Sequence, residues 1–127
     1  MAKKFFQFCL VATVIFFGAN FCSAEDLKFI DARGDTGYYI DRDSVQIKSD
    51  DAFGVDLIVI KIDLNQMEIT DLEINHTERT YTIKSTRTLS YSDRMEISAD
   101  YNRRLPRNYS DKSLMNEIVR IILYGGE

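Results

Sequence analysis

Apolar and polar positions alternate in short runs between Leu27 and Ala99, a pattern typical of β-strands. Glycine, aspartate, serine and asparagine separate these runs, and such residues favour tight turns. The pattern therefore predicts a series of hairpins. The predicted strands are Leu27–Ile30, Tyr38–Asp41, Ser44–Ile47, Gly54–Asp63, Met67–Asn75, Thr80–Tyr91 and Met95–Ala99.

Two of these runs predict different positions in a sheet. Gly54–Asp63 is almost continuously apolar and rich in β-branched residues, which predicts a central strand buried on both faces. Thr80–Tyr91 alternates instead, which predicts a strand with one buried face. The apolar residues that share one parity there are Tyr81, Ile83, Leu89 and Tyr91.

The end of the chain changes to a helical period. Leu114, Met115, Ile118, Ile121 and Ile122 recur at intervals of three and four residues, which places them on one helical face. Ser110 is the predicted N-cap, and Gly125-Gly126 the predicted stop. An apolar helical face must cover another apolar surface. The sequence thus predicts an α+β domain, an antiparallel sheet of five to six strands packed against one C-terminal helix.

A secretory signal is predicted ahead of the strands, over residues 1–24. Lys3-Lys4 precedes the apolar run Phe5–Phe17, and small residues end the segment at Ala24. Cleavage before Glu25 would leave residues 25–127 as one domain, with no transmembrane segment.

Two alternatives remain open at this signal. The first is a retained anchor helix, although the apolar run is shorter than the ~20 residues that a membrane span needs. The second is a lipoprotein acylated at Cys22, which the bulky Phe21 disfavours.

Removing the signal changes the composition. Cys9 and Cys22 both lie in it, so the mature chain has no thiol and no disulfide. Loss of Lys3 and Lys4 lowers the formal charge from −4 to −6. Stability must then come from apolar burial and backbone pairing.

Candidate catalytic and metal-binding patterns are weak. His76 is the only histidine, which excludes a zinc site built on a pair of histidines. The chain has no Gly-x-Ser-x-Gly elbow, and Asp41-x-Asp43 lacks the rest of a calcium loop. We therefore expect a protein that is not an enzyme, with no cofactor and no metal, and we expect His76 to be an exposed hairpin residue.

Charge is uneven along the mature chain. Residues 25–63 carry ten acidic and five basic side chains, whereas residues 79–112 carry eight basic and four acidic ones. Arginine and tyrosine are the residue types that anchor protein interfaces. The candidate partner-binding residues are Arg87, Arg94, Arg103, Arg104, Arg107, Tyr101 and Tyr109. A protein or an acidic glycan is the expected partner, and the acidic overall balance argues against nucleic acid. The alternative is a charged, solvated surface.

The tripeptide Arg33-Gly34-Asp35 lies between two predicted strands, where it is expected to be exposed. Integrins can bind this tripeptide on a loop, and a Gly-Asp turn explains it without any function. Both interpretations stay open.

Three short motifs resemble the surface-adhesin protein E-like family of small exported bacterial proteins. Tyr38–Asp41 followed by Asp43-Ser44-Val45 is similar to its early strands, Leu72–Tyr81 to its middle hairpin, and Leu105–Ser110 to its approach to the last helix. The family often has a cysteine where this chain has His76, with a partner near Ile121 or Leu123. The resemblance thus implies the family's fold without its disulfide.

Export and the resemblance together lead to an expected function. The chain is expected to be a non-enzymatic interaction protein of the periplasm, the cell surface or the exterior. Some members of the family are adhesins for host extracellular-matrix proteins, so an adhesin is the expected form of that function. The alternative is a periplasmic housekeeping protein that binds an envelope partner and makes no host contact.

Overall fold

The structure is a computed structural model that describes residues 26–125. The predicted signal segment, its cleavage site and Gly126 lie outside the described residues. Within residues 26–125, no helix is long and apolar enough to cross a membrane.

Seven strands and one helix follow one another along the described chain. The strands are β1 (Leu27–Arg33), β2 (Thr36–Ile47), β3 (Ala52–Lys61), β4 (Gln66–Asn75), β5 (Thr80–Ser90), β6 (Glu96–Asp100) and β7 (Arg107–Asn108). A short 3₁₀ turn, Ile62–Leu64, joins β3 to β4, and α1 spans Leu114–Tyr124.

The strands β1 to β6 form an antiparallel sheet in chain order, and β7 returns to pair with β5. The predicted combination of an antiparallel sheet and one C-terminal helix is confirmed. Six strands form the continuous path, in agreement with the predicted five to six, and the two-residue β7, which shows no period in the sequence, adds a seventh. The two runs predicted around Asp43 form the single strand β2, whose register shifts between Asp41 and Gln46.

The strand β3 lies at the centre of the sheet, as its apolar composition predicts. Ten consecutive pairs join it to β4, from Ala52 opposite Asn75 to Lys61 opposite Gln66. Its alternate residues enter two apolar clusters, with Val55 in the larger cluster and Ile58 in the smaller one. Burial of both faces explains why apolar residues nearly fill this strand.

The larger cluster joins the sheet to α1. Ile118 of the helix and Ile40, Leu72 and Ile74 of the sheet are each 0% exposed. We call this side of the sheet the helix face. The opposite side, the open face, carries the smaller cluster around Ile58, and no helix of the described residues lies on it.

The helix begins at Leu114, three residues later than an N-cap at Ser110 would allow. Ser113 is the N-cap, and its hydroxyl oxygen accepts from the Asn116 backbone N–H at 3.4 Å. The Ser110 carbonyl instead accepts from the Ser113 hydroxyl at 2.8 Å, so Ser110 belongs to the preceding turn. The prediction of Ser110 as N-cap is therefore wrong. Gly125 ends α1 at φ 80°, which confirms the predicted stop.

A β-bulge divides β5 into two halves of opposite parity. Ile83 lies opposite Leu72, yet Ser85 lies opposite Asp71, so Lys84 is an extra residue. Tyr81 and Ile83 consequently pack on the helix face. Beyond the bulge, the odd-numbered residues of β5 lie on the open face instead.

The reversal places the rest of β5 differently from the prediction. Leu89 pairs with Met67 of the smaller cluster, and Tyr91 packs against the same cluster on the open face. The prediction that Tyr81, Ile83, Leu89 and Tyr91 share one buried face is wrong, because alternation cannot reveal an inserted residue.

We predict that Ile118→Ala lowers the free energy of unfolding by about 2–5 kcal/mol, because it leaves a cavity under the helix. Leu123→Ala is the matched control on the same helix, since Leu123 is 37% exposed. We expect it to cost less than about 1.5 kcal/mol. Urea unfolding would measure both variants. Equal losses would contradict the assignment of the helix face.

Candidate functional site

The predicted arginines converge mainly in one loop, Tyr101–Arg107, which we call the arginine loop. The strand β6 ends at Asp100 opposite Thr86, and β7 begins at Arg107 opposite Tyr81. Between these points the Arg104 backbone N–H donates to the Ile83 carbonyl at 2.9 Å. The loop therefore runs beside the edge of β5.

Asp100 and Glu73 fix the shape of the arginine loop. The Asp100 carboxylate accepts from the Asn102 backbone N–H at 2.9 Å and from the Arg104 guanidinium at 2.8 Å. These bonds lower the pKa of Asp100. Arg103 reaches Glu73 of β4 at 3.4 Å. Exposed ion pairs add little stability, so they mainly orient the loop.

A groove lies between the arginine loop and the helix face of β5. Its volume is about 480 Å³, and its lining residues are Tyr81, Ile83, Arg104, Leu105, Pro106 and Arg107. Leu105 is 84% exposed, although leucine is usually buried. Arg107 has no ion pair within residues 26–125. The groove thus combines an exposed apolar side chain with an unpaired cation.

Leu105 is not among the candidate residues predicted from the sequence. Its signal was present, because an apolar residue followed by proline stands between Arg103-Arg104 and Arg107. Burial is the default expectation for such a residue, and only the structure shows that Leu105 has no cover. Tyr101, predicted as a candidate, is 68% exposed in the same loop.

Two predicted arginines lie away from the arginine loop. Arg94 occupies the turn after β5, at the other end of that strand, where its guanidinium lies 4.9 Å from the centre of the Tyr91 ring. Arg87 lies in the middle of β5, opposite Ile69. Ile69 packs on the open-face cluster, so Arg87 shares that face.

Tyr109 is a core residue. Its side chain is 9% exposed and belongs to the larger cluster. Burial raises the pKa of Tyr109, and the nearby charge of Arg79 acts in the opposite direction. The Arg79 guanidinium lies 5.7 Å from the centre of the Tyr109 ring. We therefore leave Tyr109 out of the candidate surface.

The sequence drew attention to His76 and to the Arg33-Gly34-Asp35 tripeptide as well. His76 is half-buried and stacks on Phe53, with ring centres 6.1 Å apart, so the expectation of an exposed side chain is wrong. The tripeptide is exposed at the β1–β2 turn, where Gly34 has φ 60°. Its Arg33 pairs with Asp31 at 3.3 Å. Binding to an integrin stays a hypothesis.

A row of three carboxylates crosses the open face. Asp41, Asp56 and Asp71 lie opposite one another on β2, β3 and β4. Burial raises the pKa of Asp56 to about 6, and the charges of Asp71 and Asp41 add to the effect, whereas Arg87 opposes it. Sequence analysis missed this row, because only the strand register brings the three residues together.

The described residues contain no group of three or more His, Cys, Asp or Glu side chains arranged to hold a metal ion. Comparison with protein-family models, curated proteins and solved structures gave no match to this chain. The likeness to the adhesin family therefore rests on the three sequence motifs alone.

We predict that the ionisation of Asp56 lowers stability as the pH rises from about 4 to about 6. A carboxyl group whose pKa is higher in the folded protein favours folding while it holds its proton, and this contribution is lost as the pH passes the folded pKa. Asp56→Asn should remove the effect. The free energy of unfolding of Asp56→Asn, relative to that of wild type, should be higher at pH 7 than at pH 4.5 by on the order of 1 kcal/mol. The expected difference is small because Asp56 is partly exposed.

Urea unfolding of wild type and Asp56→Asn at both pH values measures this difference. Asp63→Asn is the control, because Asp63 is an exposed carboxylate in the turn between β3 and β4. The same pH dependence in wild type and Asp56→Asn would show that Asp56 is not the group responsible.

Proposed function

We propose that this protein is an exported, non-enzymatic interaction module that binds an acidic partner through the arginine loop. The observation that carries the proposal is Leu105, which is 84% exposed between cationic residues at the rim of a groove. Protein interfaces have an apolar core in which arginine is enriched, and the groove places Leu105 beside Arg104 and Arg107. We propose an adhesin role at the cell surface, with extracellular-matrix proteins or sulfated glycans as the partner.

The distribution of charge over the sheet supports this assignment. Because β1 to β6 keep their chain order, β1–β4 and β5–β6 form two different halves of the sheet. Residues 26–75, which form the first half, carry twelve acidic and five basic side chains, and residues 76–108, which form the second half and β7, carry four acidic and seven basic ones. The arginine loop lies on the basic half. Such a field orients an acidic partner towards the loop as it approaches.

The residues of the arginine loop have different parts in this proposal. Leu105 is the apolar anchor, and Arg107 is the free cation that would pair with a carboxylate or a sulfate. Arg103 and Arg104 already pair with Glu73 and Asp100, so they hold the loop in place. Both pairs are exposed, and each arginine can add a partner oxygen on its outer side.

The packing of His76 agrees with a non-enzymatic role. This histidine stacks on Phe53, and the neighbouring Thr77 donates its hydroxyl to the Asp51 carboxylate at 2.7 Å. These contacts join the β2–β3 turn to the β4–β5 turn. We assign His76 to holding the turns together, with binding left to the arginine loop.

We predict that Arg107→Glu weakens binding of the exported protein to its partner by at least about 10-fold, through loss of a charge pair. Leu105→Asp should weaken it by a similar factor, because it removes the anchor. Immobilised heparin and immobilised extracellular-matrix proteins are the probes, and surface plasmon resonance is the measurement. Raising the salt concentration should also weaken binding.

Lys112→Glu is the matched control, because Lys112 is an exposed cation that lies outside the arginine loop and its groove. It makes the same charge change and should alter the affinity less than about 3-fold. Equal losses of affinity for Lys112→Glu and Arg107→Glu would show that binding depends on the net charge of the protein and not on the arginine loop. Failure of the wild-type protein to bind either type of probe would refute the adhesin proposal.

A further inference from the structure

A second cavity, distinct from the groove, lies over Gly54, and we call it the Gly54 cavity. Its volume is about 260 Å³, and the lining includes Ser44, Lys48, Gly54, Asp56, Asp71 and Lys84. Two local features create it. The register of β2 shifts between Asp41 and Gln46, and Gly54 has no side chain to fill the space.

The register shift is held by the hydroxyl of Ser44. This hydroxyl donates to the Asp41 carbonyl at 2.6 Å and accepts from the Asp56 backbone N–H at 2.8 Å. Gly54 is buried, and a Cβ atom there would lie 3.4 Å from the Lys48 side chain and 3.5 Å from the Leu72 carbonyl. The cavity is therefore a defined feature of the paired strands.

One wall of the cavity is anionic. Asp56 and Asp71 are direct cross-strand neighbours on β3 and β4, and opposed residues have their Cβ atoms about 5 Å apart. Neither carboxylate has an ion pair within residues 26–125. Like charges placed directly opposite each other destabilise a sheet. A cation between them would relieve this repulsion.

The cavity is cationic elsewhere. Lys84 is the extra residue of the β5 bulge, and it has no ion pair or side-chain hydrogen bond within the described chain. Among residues 26–125, the Lys48 ammonium group donates only to the side-chain oxygen of Gln46, at 3.3 Å. Two ammonium groups and two carboxylates thus line one cavity without pairing with one another.

We infer that the Gly54 cavity binds a small zwitterion of the amino-acid class. The ligand's ammonium group would lie between Asp56 and Asp71, and its carboxylate would face Lys84 and Lys48. Both contacts are charge-assisted hydrogen bonds, which are stronger than neutral ones. The volume lies just below the range of drug-sized pockets, about 300–1,000 Å³, and suits a ligand of a few heavy atoms.

The titration of Asp56 supports this assignment and supplies a signal. Its raised pKa results from burial and from the charges of Asp71 and Asp41, with Arg87 acting in the opposite direction. A bound ammonium group favours the charged carboxylate, so the ligand should lower the pKa of Asp56. By linkage, binding should be tighter above pH 6 than below it. Lys48 and Lys84 also face the cavity.

The test is an NMR titration of the purified exported protein with L-alanine, ethylammonium and propionate. We expect L-alanine to shift the Gly54 amide and Asp56 carboxyl signals saturably and to lower the pH at which Asp56 titrates. Ethylammonium and propionate each supply only half of the charge pattern, so they should bind at least about 10-fold more weakly. These measurements on the wild-type chain need no variant to fold.

Two variants test the anionic and the cationic parts of the cavity separately. Asp71→Asn and Lys84→Gln should each weaken L-alanine binding by at least about 5-fold. The exposed Asp63→Asn and the β1 variant Lys28→Gln are the controls, and they should leave it within about 2-fold.

Three outcomes would overturn the inference. One is the absence of saturable shifts with L-alanine up to about 50 mM. Another is propionate binding as tightly as L-alanine, which would indicate an anion site. The third is tighter binding of L-alanine or ethylammonium by Lys84→Gln, which would indicate that the Lys84 ammonium itself occupies the anionic wall. The groove at the arginine loop is a separate cavity, so none of these outcomes bears on the proposed function.

Discussion

The pairing of β3 with β4 is the interaction on which the rest of this structure depends. It is the longest run of pairs in the sheet without a register shift, ten in all. Apolar side chains from β3 enter the clusters on both faces, so the same strand packs against α1 on the helix face and forms the smaller cluster around Ile58 on the open face. Burial of apolar area on both faces is the main favourable term here.

Features with candidate functions occur where the pairing becomes irregular. The shift in β2 and the inserted Lys84 in β5 flank the Gly54 cavity. The interval between β6 and β7 forms the arginine loop. In a regular ladder the backbone polar groups of neighbouring strands pair with one another, whereas bulges and loops leave some of them exposed. Binding sites can therefore form at bulges and loops with little loss of core packing. The regular centre of the sheet holds these irregular parts in place.

Sequence patterns predicted the elements of the fold well and the faces less well. Long runs such as Gly54–Asp63 and the helical period through Ile118 have strong signals, because burial imposes their spacing. The bulge at Lys84 has no such signal, and it reversed the assignment of Leu89. The start of α1 was misplaced, because Ser110 and Ser113 are equally good caps by residue type.

The candidate site was predictable only where charge is concentrated in sequence. The cluster around Arg104 and Arg107 was found in this way, and in the structure these residues line one groove. Burial of Tyr109 and exposure of Leu105 depend on three-dimensional packing, so residue type made Tyr109 a surface candidate and left Leu105 out. The carboxylate row of Asp56 depends on the register of three strands, which composition does not specify.

The central claim is that the β3–β4 pairing is the most stable part of the sheet and that the candidate binding sites lie in its irregular parts. Native-state hydrogen exchange tests this claim most directly. We expect the slowest exchange for the central amides of β3 and β4. The arginine loop and β6 should exchange at least about 100-fold faster, through local opening. Equal protection of the arginine loop and β3 would contradict the account, as would rapid exchange at Ile58, because the sheet would then have no stable centre to support its edges.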